Sequence, residues 1–300
     1  MQTRRPTAGM PRPSAPVEPS PPTGEPSRGR RPAPLSLARL AAVLATVIVV
    51  ILPASCGVPR ISGALEAERR ISRCDAEDVA AVTVSTRMTG KEPLSLRFLA
   101  AREASSLWSS VATGCPARFA EGVMHTVQAL RVESSLADAL GQDGPSMPSV
   151  DTAAVSALDI DHQALATMAV AEDRAGFVIG LLAARNVTGA TLALSDFHRA
   201  LGQRLASAAT GADDRRREFY DVSTLLSHPT VVSDSSTGLE VPTAALAEID
   251  CARGIASEVT AATSGVTRAG VLSTLSSLVA TPLVRGLDLG YPSLDSALLS

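Results

Sequence analysis

From Ile61 onward, apolar residues recur three and four positions apart, and alternating runs rich in β-branched residues are scarce. This spacing lays one apolar stripe along each of a series of helices, so an all-α fold is expected. The core material agrees, because 45% of the 300 residues are hydrophobic and only 3% aromatic. Helices packed through Ala, Leu and Val suit such a composition. Candidate helices cover residues 61–88, 94–112, 116–140, 159–186, 190–209, 242–264 and 266–281. Pro116 suits a first turn, and Gly114, Gly141 and the segment 186–189 read as helix ends. The run Asp143-Gly-Pro-Ser-Met-Pro-Ser149 reads as a linker, dividing a smaller helical region over 57–142 from a bundle over 159–285, with a tail over 286–300. Residues 210–241, which hold Asp213, Asp214, Pro229 and Gly238, should form a long excursion with a short helix near 214–226.

The amino-terminal part belongs to a different environment. Residues 1–38 form a Pro- and Arg-rich tail, with too few large apolar side chains to offset the entropy of ordering, and are expected to be disordered. Residues 39–56 read as a signal or membrane segment. The thirteen residues from Leu40 to Leu52 carry no charge, and the uncharged stretch continues to Pro59. A signal-peptide core and a short membrane span both fit this length. Arg28, Arg30, Arg31 and Arg39 precede it, which keeps the amino terminus cytoplasmic. Cys56, with Ala54 and Ser55 before it and Gly57 after it, resembles the lipid-modified cysteine of a bacterial lipoprotein signal, with Pro53 where a Leu-like residue is usual. Three alternatives follow: cleavage and diacylglyceryl modification at Cys56, an uncleaved signal anchor that keeps the tail, and, less favoured, ordinary cleavage with release. All export the remainder to where disulfides form, and the two favoured ones hold it on the extracytoplasmic face of the cell membrane. Cys74 with Cys115 is the favoured bridge, which leaves Cys251; the alternative is that all three are small buried hydrophobes.

Charge and motifs exclude several function classes. Residues 1–56 hold seven Arg and two Glu, so the chain's net −3 divides into +5 there and −8 beyond. An acidic folded part whose one basic run is Arg215-Arg216-Arg217 lacks the cationic stripe that binds phosphates, so no nucleic-acid partner is expected. No Gly-x-Ser-x-Gly turn, Gly-rich phosphate loop or zinc-like Cys/His spacing is present. His125, His162, His198 and His228 lack neighbours of catalytic type, and Asp161 before His162 reads as a solvated helix cap. No catalytic residue and no cofactor is therefore assigned.

Ionisable residues do fall on apolar faces in the second half. Glu172 lies on the stripe Leu165, Met168, Ala175, Ile179, Leu182; His198 on Leu194, Leu201, Leu205; and Glu248 on Val241, Ala245, Ile255, Val259. The stretch 169–185 around Glu172, the run His198-Arg-Ala-Leu-Gly-Gln-Arg-Leu205, Tyr220, and Ala245-Leu-Ala-Glu248-Ile-Asp-Cys-Ala252 are together similar to the ferritin-like domain of uncharacterised function found in bacterial envelope lipoproteins. That resemblance covers residues 159–285. It implies a ferritin-like four-helix bundle with a long crossover at 210–241, in an exported, membrane-attached protein.

Two-metal carboxylate bundles take a Glu from each of two helices and a Glu-x-x-His pair from each of the other two. Here Glu172, His198 and Glu248 are the candidate metal ligands, but Ser195 stands at the Glu position before His198, and residues 266–281 offer no carboxylate or imidazole. A hydrogen-bonded buried pair is the simpler reading, because an unpaired buried charge is costly. Purified protein is accordingly expected to carry no stoichiometric iron, manganese or zinc. The functional expectation is a membrane-anchored, extracytoplasmic helical-bundle protein acting as a non-catalytic scaffold or binding protein for an unknown envelope partner. The alternative is a metal-binding ferritin-like oxidoreductase or metal-storage protein with an incomplete ligand set.

Overall fold

The structure, a computed structural model, describes residues 71–262 and 269–299. The amino-terminal tail, the membrane segment with Cys56, and the first turns of the helix expected from residue 61 lie outside the described residues. In chain order the elements are α1 Arg73–Met88, α2 Leu94–Gly114, a 3-10 turn Pro116–Arg118, α3 Phe119–Leu140, α4 Thr152–Ser156, α5 His162–Ala184 and α6 Leu192–Ala208. There follow α7 Ser223–Ser227, β1 Val231–Ser233, β2 Glu240–Pro242, α8 Thr243–Ala262, α9 Ala269–Asp288 and a 3-10 turn Ser296–Leu299.

Side chains start these helices where the backbone N–H groups have no intrahelical acceptor. Ser72, Asp151, Asp161 and Thr191 accept from first-turn amides of α1, α4, α5 and α6. At the other end of α3, Gly141 takes the left-handed conformation with φ 63° and closes the helix. Consecutive helices then pack in pairs: α1 on α2, α2 on α3, α5 on α6, and α8 on both α5 and α9. The main core takes Phe119 and Met124 from α3, Leu165 and Met168 from α5, Leu201 and Leu205 from α6, Ile249 and Ile255 from α8, and Leu272 and Leu275 from α9. Side chains from both sides of the 143–149 linker thus enter one core. A smaller cluster joins α1, α2 and α3 around Ala81, Val84, Trp108 and Val111.

The fold is mostly helical, as expected, with local departures, among them the short unexpected helix α4. Within 210–241 helix is confined to Ser223–Ser227, and an antiparallel ribbon pairs Val231 with Pro242, Val232 with Val241 and Ser233 with Glu240. The helix expected to end at 281 continues through Pro282 to Asp288. An interior proline costs about 3 kcal/mol. Beyond it Leu283, Val284 and Leu287 are all buried, and each contributes roughly 1.5–3 kcal/mol, so continuation wins. The segment read as a tail instead folds back, burying Tyr291, Leu298 and Leu299 in the main core. Among the described residues α9 is long and apolar enough to cross a bilayer, but most of it is buried inside the protein, as befits a core helix.

Candidate functional site

Glu172, His198 and Glu248 meet at the centre of the α5, α6 and α8 packing, and none of them has any exposed surface. Each is held inward by its own stripe. Leu165, Met168, Ala175, Ile179 and Leu182 flank Glu172 on α5, and Leu201 and Leu205 flank His198 on α6. The close approach of α5 and α6 needs glycine. A Cβ at Gly176 would lie 2.9 Å from the Ser195 carbonyl oxygen, and one at Gly202 would lie 3.1 Å from that of Ala169. Ser195 also ties the pair together, donating its hydroxyl to the Gly176 carbonyl at 2.7 Å.

His198 is clamped between the two carboxylates. Its Nδ1 lies 2.6 Å from Glu172 Oε2 and its Nε2 3.2 Å from Glu248 Oε1. With acceptors on both ring nitrogens, the imidazole carries both protons as an imidazolium. Burial pushes its pKa down, but the hydrogen bonds and charges of Glu172 and Glu248 outweigh that and raise it to about 9. Glu172 Oε1 and Glu248 Oε2 are left buried with no hydrogen-bond partner.

A fourth group stands beside this triad. Cys251, one turn after Glu248 on α8, is buried and unbridged. Ligand atoms of Glu172, His198 and Cys251 lie within 4.8 Å of one another. Burial, and then the nearby Glu172 and Glu248, hold its thiol well above the ordinary range. Cys251 is not among the residues the apolar stripes single out, although its position three residues after an inward Glu248 is a signal that places it beside the cluster. Cys251 also lines a cavity of about 230 Å³ between α5 and α8, with Ala171, Ala175, Asp250 and Gly254 among its walls.

A two-metal carboxylate centre does not fit these residues. Ser195 is spent on a backbone hydrogen bond. Leu272, Leu275, Leu278 and Val279 line the buried face of α9, whose one carboxylate, Asp288 at its end, pairs with Arg131. The pattern therefore lacks both the partner of His198 and the whole contribution of the fourth helix.

The remaining singled-out residues are dispersed. Cys74 and Cys115 are joined by a disulfide. Asp161 caps α5 through the Ala164 amide at 2.8 Å, and His162 Nδ1 lies 2.5 Å from the Thr210 carbonyl oxygen. His125 stacks on Trp108. In the basic run, Arg216 pairs with Asp214. Tyr220 donates to Asp173 at 2.8 Å, and burial, helped by that carboxylate, pushes its phenol up to about 12. A second buried polar cluster was not foreseen: Asp234 accepts from Arg253 at 2.9 Å and from the Tyr291 hydroxyl.

No family model matches the chain, and no curated protein or solved structure is significantly similar to it.

Proposed function

We propose that this chain is an extracytoplasmic, membrane-attached helical protein whose folded part is a ferritin-like bundle serving as a non-catalytic binding or scaffold module. The observation that carries the location is the Cys74–Cys115 disulfide, which ties the start of the described fold together a short distance after the uncharged stretch 40–59. Such bonds persist in oxidising compartments and are rare in the cytosol. The pairing of α5 with α6 and α8 with α9, joined by the excursion from 209 to 242, supports a four-helix arrangement with a long crossover. Complete burial of Glu172, His198 and Glu248 supports a non-catalytic role, because no substrate larger than an ion can reach a group without exposed surface. The alternative, a two-metal oxidoreductase or storage protein, lacks half of its ligands.

Intact-mass and amino-terminal analysis of the chain extracted from its native membrane tests the reading. A chain beginning at lipid-bearing Cys56, or one keeping residues 1–55 and sedimenting with membranes, is the expected result. A cytosolic chain with Cys74 and Cys115 reduced would sink it.

A further inference from the structure

A self-sufficient buried pair satisfies its own polar atoms, and the Glu172–His198–Glu248 cluster does not. Two of its four carboxylate oxygens are enclosed with no donor beyond the weak Cys251 thiol beside Glu172. An enclosed polar atom without a partner is costly, and buried groups of this kind normally have one. A fourth polar side chain, Cys251, faces the same point, yet its thiol has one proton and cannot serve both oxygens. What the cluster offers in excess is electron pairs: those of the carboxylate oxygens and, once their protons leave, those of His198 Nδ1 and Cys251 Sγ.

We infer that Glu172, His198 and Cys251 form a site for one divalent cation of the zinc class, with His198 binding through Nδ1 and Glu248 orienting the ring through Nε2. The geometry supports each assignment. Nδ1 is the nitrogen that faces Glu172. Three ligands at ordinary zinc distances stand about 3.5 Å from one another around a tetrahedral centre. The present atoms all lie within 4.8 Å, so side-chain adjustments of roughly 1 Å suffice. Glu248, bonded to Nε2 at 3.2 Å, supplies the carboxylate that a metal-bound histidine characteristically uses to fix its tautomer. A thiolate beside an imidazole favours zinc and other borderline ions over magnesium and calcium.

The exchange balances. The ion enters; the proton on Nδ1 and the proton on Sγ leave; the Nε2 proton stays on the ring, donated to Glu248. Two positive charges leave and two arrive, so the charge of the dry site is unchanged. Access is provided by the cavity of about 230 Å³ between α5 and α8, which Cys251 lines and whose wall also carries Asp250 and Glu258. This site differs from the two-metal pattern in its nuclearity and in its sulfur ligand. It also replaces the expectation of a metal-free core. It does not depend on the membrane reading, since an ion can bind whether or not the chain is anchored.

The test uses the full chain without a polyhistidine tag, its disulfide intact, stripped with a chelator and titrated with Zn²⁺ alone. One zinc per chain retained through gel filtration is expected, as is no comparable retention of Mg²⁺. Replacing zinc by Co²⁺ should give the intense near-ultraviolet absorption of a thiolate–cobalt bond. Cys56→Ser should keep that absorption, which assigns it to Cys251, the other free thiol. Cys251→Ser should abolish it and weaken zinc binding at least tenfold, and Glu248→Gln should weaken binding roughly 10- to 100-fold. Folded wild-type protein that retains no zinc, or that binds cobalt without thiolate absorption, would overturn the site. So would preferential retention of Mg²⁺. The wild-type and Cys56→Ser measurements decide the matter even if Cys251→Ser fails to fold.

Discussion

Asp234 is only 1% exposed, and its partners come from distant parts of the chain. Arg253 of α8 donates two hydrogen bonds to it, Tyr291 beyond α9 donates one, and Ser236 and Thr237 of its own turn complete the set. Burial alone would raise the carboxyl pKa, but Arg253 and the other donors hold it well below its ordinary 3.8. A depressed folded value means that the stabilisation is fully present above pH 3.8 and is lost as pH falls through the window below it. Asp234→Asn should therefore cost about 3 kcal/mol at pH 7, the scale for breaking a buried pair. The gap between variant and wild type should narrow by roughly 1 kcal/mol per pH unit below the unfolded value. Urea unfolding at pH 7 and pH 3 measures this, and a gap that stays constant would refute the assignment of the carboxylate as the titrating group.

Between elements, backbone contact sets what is tolerated. At the α2–α3 crossing a Cβ on Gly122 would lie 2.5 Å from the Ala112 nitrogen and 2.7 Å from its Cα. Backbone cannot rotate away as a side chain can, so Gly122→Ala must push two helices apart. Overpacking of this kind costs about 1–3 kcal/mol, against the gain of up to about 1 kcal/mol that Ala normally brings to a helix interior. A lowered thermal midpoint is expected, and an unchanged or raised one would show that the helices separate freely. The same distinction explains what could be read without coordinates. Helix positions were legible because stripes, caps and Gly141 are local signals, and the inward settings of Glu172, His198 and Glu248 followed from those stripes. The ribbon was not, since strands of three residues carry too little pattern. Nor was the Asp234 cluster, because Arg253 and Tyr291 stand 19 and 57 residues from Asp234 and only the tertiary fold unites them. Cys251 was hidden differently: a cysteine on an apolar stripe reads as a small hydrophobe until the facing carboxylates are seen.

At the scale of the whole molecule, stability is unevenly distributed. The main core draws on α3, α5, α6, α8 and α9, whereas α1 contributes nothing to it and buries only Ala81, Val84 and Met88 in the smaller cluster. Its attachment rests mainly on α2, with the Asp78–Arg118 ion pair and a few contacts to α3, and on the disulfide from Cys74 to Cys115, which spans 41 residues. On the chain-entropy account a bridge over such a loop is worth about 4 kcal/mol, comparable to everything α1 gains by burying three side chains at roughly 1–3 kcal/mol each, before its ordering entropy is charged against them. Replacing Cys74 and Cys115 together with Ser should release α1 before the rest. Amide hydrogen exchange is the appropriate measurement, because it resolves openings segment by segment. Amides of Arg73–Met88 should lose most of their protection, while those of α5, α6 and α8 keep theirs. Equal loss across α1, α5 and α8 would instead mean that the molecule unfolds as one unit and that the smaller cluster is inseparable from the main core. With the expected result, the bridge's particular effect is to hold the first described helix against the body of the protein, which a reducing compartment would not sustain.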